Sequence, residues 1–329
     1  MKRVSMQDIA DSLGISKCTV SLVLNGKAKN KRVSKDLCEK VIRAARQMNY
    51  QPNEIARGLR TGLTKTIGVV VADISNEFFG QMVHHIQMRA KSYGYSVIIT
   101  NTDESLSEMM EMITLLINRQ VDGIIMVPSN GSEEIVSHVI DLNIPLVQLD
   151  RFFSGLDASY VVLDNYKASA DTTRLLVRRG CKRIAMIRHK MSVINDRLEG
   201  YVDVLKENGC YCPELVKDIE YSNEDEDIKN AIMELYNNND GIDAVFFQSH
   251  ELFLSGIKHM MRFGIRIPQE MQVASYDEIN AYSLLNFPMI YVEQPMQQMA
   301  EKAVDILMNH INGSEVIQQY KMEAKLGFL

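Results

Sequence analysis

Reactive side chains are present in this 329-residue chain, but their spacing sets up little covalent chemistry. Ser249 and His250 are sequence neighbours, which does not set a hydroxyl against an imidazole as nucleophile and base require. His84 and His85 lie in a helical pattern with no ligand four residues on, so they do not make a zinc pair. Cys18, Cys38, Cys181, Cys210 and Cys212 are odd in number and form no Cys-x-x-Cys pair; they read as reduced thiols, with no metal site. The first apolar strand runs into ADISNEFF, residues 72–79, and not into a Gly-rich phosphate turn, and no Gly-x-Ser-x-Gly occurs. An enzyme is therefore not expected, nor is a cofactor.

The chemistry that the residues do favour is charge against phosphate. Residues 1–65 hold 14 Lys+Arg against 5 Asp+Glu, a net +9, while the remainder holds 22 against 37, a net −15. An acidic protein that gathers its positive charge on its first fifth carries an electrostatic footprint for nucleic acid. The same stretch has the spacing of a helix-turn-helix. Met6, Ile9, Ala10 and Leu13 form one apolar stripe, Ser5 and Asp8 make an imperfect capping box, and Gly14 ends the first helix. Ser16 caps a second helix, Lys17 to about Leu24, with Val20, Val23 and Leu24 inward and Lys17, Cys18, Ser21 and Leu22 outward. In such a unit the second helix enters the major groove. A basic loop follows, with Lys27, Lys29, Lys31 and Arg32 placed for phosphates, then a third helix at about 35–49 capped by Ser34. Residues 50–64 carry a short apolar stripe, Ile55, Ala56 and Leu59, flanked by Arg57 and Arg60; with Gly58 inside, this helix needs a partner to fold.

Beyond Thr66 the elements that would position a ligand change character. Apolar, β-branched runs such as IGVVVA at 67–72 alternate with amphipathic helices, first to about residue 163 and then in a second round to about 275. Apolar strands between amphipathic helices predict parallel sheets covered on both faces. Two such doubly wound units face each other across a cleft, and ligands of this architecture sit at the carboxyl ends of the strands. No run approaches the ~20 apolar residues of a membrane span. The N-terminus, MKRVSMQDIA, lacks the apolar core of a signal peptide, so a cytoplasmic protein is expected and a secreted solute-binding protein is not.

Taken together, Met6-Gln-Asp-Ile-Ala10, Thr19-Val-Ser21 with Val23-Leu-Asn-Gly26, Tyr50-x-Pro-Asn53, Ala56-Arg-x-Leu-Arg60, Thr66-Ile-Gly68 and Asp73-Ile-Ser-Asn76 with Phe78 and Phe79 are an ordered set. Downstream, Arg197-Leu-Glu-Gly-Tyr201, Gly264-Ile-x-Ile-Pro268, Tyr276-Asp277 and Gln294-Pro295 continue it. The chain resembles the lactose-repressor (LacI/GalR) family of bacterial transcription regulators over nearly its whole length. The resemblance implies an all-α helix-turn-helix DNA-binding domain, residues 1–50, and a hinge helix and linker, 51–64. It implies next an α/β two-lobed, periplasmic-binding-protein-like core, 65–329, with the first lobe at about 65–163 plus 296–320 and the second at about 164–292. It implies a homodimer on a palindromic operator in double-stranded DNA, a small effector (a sugar, sugar phosphate or nucleoside) held between the lobes, and no membrane. Effector binding would shift the lobes, form or melt the paired hinge helices, and so change operator affinity. Repression is expected, with activation as the alternative in the same class.

By matching positions, DNA contacts are expected from Ser5, Ser16, Lys17, Cys18, Thr19, Ser21, Leu22 and Asn25, from Lys27 and Lys31, and from Asn53, Ala56, Leu59 and Arg60. The resemblance makes Leu59 the wedge into the minor groove at the operator centre. Effector contacts are expected from Asn76, Phe78, Phe79, Asp150, Arg151, Arg197, Ser249, His250, Asp277 and Gln294. Asp and Arg suit sugar hydroxyls, and aromatic rings suit the flat face of a sugar or base. Arg197 and Asp277 could instead form an ion pair between lobes, and of the adjacent Phe78 and Phe79 one is expected in the core. Two departures stand out. Leu22 stands where many members have Arg, which removes a guanine reader, and Ser249-His250 stands where many have Asn-Asp.

Overall fold

The computed structural model describes residues 4–26, 28, 33–50, 62–191, 195–237 and 241–329, which form two units divided after Thr64. In the first, α1 (Met6–Leu13), α2 (Lys17–Leu24) and α3 (Lys35–Gln47) enclose a small core of Ile9, Ala10, Val20, Val23, Val41, Ala44 and Ala45. The capping box at α1 is complete rather than imperfect. The Ser5 hydroxyl accepts from the Asp8 N–H, and the Asp8 carboxylate accepts from the Ser5 N–H at 2.7 Å. Gly14 takes φ 64°, and its N–H returns to the carbonyls of Ala10 and Asp11, which ends α1 and sets the corner. Ser16 and Ser34 cap α2 and α3 by accepting from the N–H groups of Thr19 and Leu37.

The second unit is built on two six-stranded sheets. The first has β1 (Thr66–Val71), β2 (Ser96–Asn101), β3 (Ile124–Met126), β4 (Leu146–Leu149), β5 (Ser159–Leu163) and β11 (Gln319–Met322) in the order β11-β5-β4-β3-β1-β2. The second has β6 (Ile184–His189), β7 (Val216–Ile219), β8 (Ala244–Phe247), β9 (Gln272–Tyr276), β10 (Ile290–Glu293) and β12 (Lys325–Phe328) in the order β12-β10-β9-β8-β6-β7. The two orders match strand for strand: β4 and β9 are equivalent, as are β1 and β6. Every pairing is parallel except β10 with β12.

Helices cover both faces of each sheet, because strands such as Val69-Val70-Val71 send apolar side chains to alternate sides. On the first sheet, α4 (Glu77–Ser92) and α11 (Met296–Ile311) bury one face, and α5 (Leu106–Asn118) and α6 (Glu133–Asp141) bury the other. On the second, α7 (Asn165–Arg178) and α8 (Asp196–Glu207) lie on one side, with α9 (Glu224–Tyr236) and α10 (His250–Arg262) opposite. The chain leaves the first sheet after β5, returns after β10 and crosses again after β11. The Asp164 N–H donates to the Met322 carbonyl and ties two of those crossings together. The last strand, β12, gives the second lobe a C-terminal edge that lies beyond the boundaries expected from sequence.

Candidate functional site

On the helix-turn-helix unit, Val20 and Val23 are buried, and their burial sets which residues of α2 face outward. Ser5, Ser16, Lys17 and Cys18 are exposed, while Thr19, Ser21, Leu22 and Asn25 are half-buried. Several of these side chains also hold the backbone. Ser16 Oγ lies 2.9 Å from Thr19 Oγ1, and Asn25 Nδ2 donates to the Ser21 carbonyl at 2.7 Å. These bonds fix the two ends of α2, and Lys17, Cys18 and Leu22 stand between them with no role in capping. The expected contacts at Lys27, Lys31, Asn53, Ala56, Leu59 and Arg60 lie outside the described residues, as do Lys29, Arg32 and Arg57.

In the two-sheet unit, a cavity of about 350 Å³ opens between the carboxyl ends of the two sets of strands. The structure brings all ten expected effector residues to its wall. Asn76 caps α4, its Oδ1 accepting from the Phe78 N–H at 2.9 Å. Phe78 and Phe79 pack edge to face with centroids 5.1 Å apart. Both are in the core and both touch the cavity, so the expected division between them does not occur: the turn that opens α4 sets the two rings side by side at the rim of the sheet.

Arg197 and Asp277 both belong to the second lobe, so they do not form an ion pair between lobes. Arg197, on the first turn of α8, donates from Nε to Asn165 Oδ1 at 2.8 Å and from an Nη to the Gln248 carbonyl at 2.6 Å. Its guanidinium lies 3.9 Å from the Tyr276 ring centroid. Gly200, in the motif Arg197-Leu-Glu-Gly-Tyr201, explains how Arg197 gets there. A Cβ at Gly200 would collide with the Tyr166 carbonyl, so only glycine lets α8 settle on α7. Asp277 accepts from His250 Nδ1 at 2.8 Å and Gln294 Nε2 at 2.7 Å. Burial works against charge on both His250 and Asp277. Their mutual hydrogen bond and attraction outweigh it, holding the imidazole above and the carboxyl below their ordinary values. Ser249 accepts from the Leu252 N–H at 3.3 Å and so caps α10. With the hydroxyl capping and the imidazole bound to Asp277, the pair is not arranged as nucleophile and base.

Across the cavity, Arg151 donates to Glu104 Oε1 at 2.6 Å and lies 3.5 Å from Asp150. Burial pushes the Asp150 carboxyl up, against the pull of Arg151 and Arg197. Four buried polar atoms on the wall have no partner among the described residues: Glu104 Oε2, Asp150 Oδ1, Gln248 Nε2 and Gln294 Oε1. Sequence reasoning missed several wall residues, among them Glu104, His189, Tyr221, Glu224, Gln248 and Glu251. They follow or end β2, β6, β7 and β8, so the rule that ligands sit at strand carboxyl ends was a usable signal. Tyr221 is 46 % exposed, and His189 stacks on its ring at 3.8 Å and 12°, which leaves an aromatic surface facing the cavity.

Comparison with known proteins agrees with this layout. Residues 5–53 match the family described as bacterial regulatory proteins, lacI family, and residues 64–326 match periplasmic binding proteins and sugar binding domain of LacI family. The ribose operon repressor of Halalkalibacterium halodurans is 31 % identical, over 98 % of this chain and 95 % of that protein. The lac repressor dimer bound to operator and the anti-inducer ONPF has the same fold, with a TM-score of 0.87 at 22 % identity, covering 99 % of this chain and 98 % of that one. A complex of the transcriptional regulator CelR with cellobiose gives a TM-score of 0.72 at 25 % identity, covering 99 % of this chain and 98 % of that one. No helix among the described residues is long and apolar enough to cross a membrane. The chain belongs to the LacI family of bacterial DNA-binding transcriptional regulators.

Proposed function

We propose that this regulator is a repressor whose operator affinity is set by a small polyhydroxylated effector bound in the cavity between its lobes. The observation that carries the reading is the set of four buried polar atoms around the cavity that have no partner among the described residues. Each such atom costs about 1–3 kcal/mol if it stays unpaired. Hydroxyl groups, which both donate and accept, would satisfy all four, and the exposed Tyr221 ring offers a platform for the apolar face of a sugar. The repressor assignment follows the ribose operon repressor, and the carbohydrate assignment also follows the regulator complexed with cellobiose. The ten expected effector residues are proposed as contacts on this ground.

Coupling to DNA needs an element that both lobes bias. Asn280, in the second lobe, donates from its backbone N–H and its Nδ2 to Glu77 Oε1 of the first at 3.2 and 2.8 Å. Lobe opening would break these bonds. We propose that the movement is passed to the hinge segment, where Asn53, Ala56, Leu59 and Arg60 meet the operator, Leu59 in the minor groove. The exposed residues of α2, led by Lys17, Cys18 and Leu22, would meet the major groove, in a homodimer on a palindromic site within the cytoplasm. No catalytic step belongs to this account. The experiment is a thermal-shift screen of the full chain with sugars, sugar phosphates and nucleosides, since a ligand selective for the native state raises Tm. A sugar that raises Tm for the wild-type chain and not for Asp150→Asn supports the reading; a screen without any sugar response removes it.

A further inference from the structure

The cavity has an excess of negative charge and of hydrogen-bond acceptors, and both point to the same class of ligand. Seven carboxylates line it against two guanidiniums and two imidazoles. The cations are already committed within the protein. Arg151 holds Glu104 and lies beside Asp150, and Arg197 holds Asn165 and the Gln248 carbonyl. His250 bonds Asp277 at 2.8 Å, and His189 bonds Glu224 at 2.9 Å. Glu251 remains. Its carboxylate has no hydrogen bond or ion pair among the described residues, and it lies within electrostatic reach of Glu224 on its own lobe and Asp73 on the other. Burial pushes its carboxyl above the ordinary value, against the attraction of His250 and His189 and with the repulsion of Glu224 and Asp73.

The hydrogen-bond inventory is independent of that charge count. Among the unpartnered buried atoms on the wall, Glu104 Oε2, Asp150 Oδ1 and Gln294 Oε1 accept, and only Gln248 Nε2 donates. Asp150 is 5 % exposed, so water reaches it poorly. A phosphate or carboxylate on the ligand would bring further acceptors and further negative charge to a wall that lacks donors. An ammonium brings three donors and a positive charge.

We infer that the natural effector is a cation, a polyhydroxylated molecule bearing a protonated amine, with the ammonium at Glu251 and hydroxyls on Asp150, Glu104 and Gln294. The inference rests on the polyhydroxyl reading above and narrows it, excluding sugar phosphates. In the cleft a half-buried carboxylate with no hydrogen-bond partner among the described residues selects for charge, because a neutral ligand would cover it without pairing it.

The test is calorimetry and thermal shift on the full chain with matched sets built on glucose, galactose and mannose. Each set holds the parent hexose, its 2-amino, N-acetylamino and 6-phosphate derivatives. The expected result is that within at least one set the amine binds about tenfold or more tightly than its parent and its N-acetyl form, while the phosphate does not bind. Glu251→Gln should erase that gap, and Glu251→Ala should do the same. Because burial outweighs the attraction of His250 and His189 for that carboxylate, Glu251→Gln should not lower the Tm of the unliganded protein. A neutral or phosphorylated member binding as tightly as its amine overturns the inference and leaves the polyhydroxyl reading standing. An amine preference that survives both substitutions overturns the placement at Glu251. If no member of any set binds, the polyhydroxyl reading fails and this inference fails with it.

Discussion

Asp150 and Asp277 occupy equivalent places in the two lobes: each directly follows the third strand from its sheet's outer edge, β4 or β9, and each takes a left-handed backbone, with φ 66° and 69°. That region is uncommon for any residue but glycine, and Asp is among the side chains that tolerate it. The turn ends each strand abruptly and leaves a carboxylate on the cavity wall. The two acids are nevertheless perturbed in opposite directions. Asp277 is held ionised by His250 and Gln294, whereas Asp150 has one oxygen unpartnered and its carboxyl raised by burial. The twin positions therefore differ in what holds them: both Asp277 oxygens are bonded by the protein, while Asp150 Oδ1 has no partner among the described residues.

That contrast separates binding from folding. Asp150→Asn removes a buried charge whose burial outweighs the attraction of Arg151 and Arg197, so Tm should be unchanged or higher. The sign follows from the raised carboxyl: the unfolded group ionises near its ordinary value of about 3.9, and the folded one resists. The gain over wild type should thus be absent below about pH 4 and complete above the folded pKa. Ligand affinity should fall about tenfold or more. Arg197→Ala behaves differently, because it leaves Asn165 Oδ1 and the Gln248 carbonyl unpaired at about 1–3 kcal/mol each; melting temperature and ligand response should fall together. Melting curves beside ligand titrations distinguish the two, and a lower Tm for Asp150→Asn would place that carboxylate in the structure instead.

The His250–Asp277 pair predicts a pH window. His250 is raised, so its stabilisation is full below about pH 6.5 and is lost as pH rises through the folded value. Asp277 is lowered, so its share is present above about pH 4 and is lost as pH falls through its folded value. The Tm difference between wild type and His250→Gln should therefore be largest between those limits and shrink in alkaline buffer. A difference that grows from pH 6 to pH 9 contradicts the assignment.

Most of the second unit was legible because buried parallel strands are short apolar runs, and runs such as Ile67–Ala72 and Ala244–Phe247 have few competing readings. The C-terminal strands were not. Gln319–Met322 and Lys325–Phe328 are half-exposed edge segments, and their polar residues hide the pairing. Part of the cavity wall was legible through motifs such as Arg197–Tyr201 and Tyr276-Asp277. The acid excess was not, because Glu104, Glu224 and Glu251 come from three separate strand ends and meet only when the sheets face each other.

Leu22 should set part of the operator preference. It is half-buried on the last turn of α2, and its side chain takes no part in the bonds that fix the helix ends. Leu22→Arg adds a side chain that can read guanine in the major groove, worth about 1–3 kcal/mol of discrimination. Selection from random duplexes should show a new guanine at one symmetric pair of positions. Unchanged selected sequences would mean that residue 22 does not reach the bases.

The edge of the first lobe should form the dimer. Ile99 on the outermost strand β2, with Leu106, Met110 and Leu115 on the neighbouring α5, are large apolar side chains left exposed. Wild type should sediment as a dimer at micromolar concentration, and Met110→Asp should shift it toward monomer by burying an unpaired charge in the interface. A dimer of undiminished strength in the variant would place the interface elsewhere.

The central claim is that occupancy of the cavity changes DNA affinity. Its most direct test is binding of the full chain to a duplex recovered by selection, followed by fluorescence anisotropy with and without a saturating concentration of the tightest ligand from the matched sugar sets. The account predicts a change in Kd of about 5-fold to 150-fold for wild type, and a lost or much reduced change for Asp150→Asn at the same ligand concentration. Equal Kd with and without bound ligand, in a chain whose Tm the ligand raises, would contradict it.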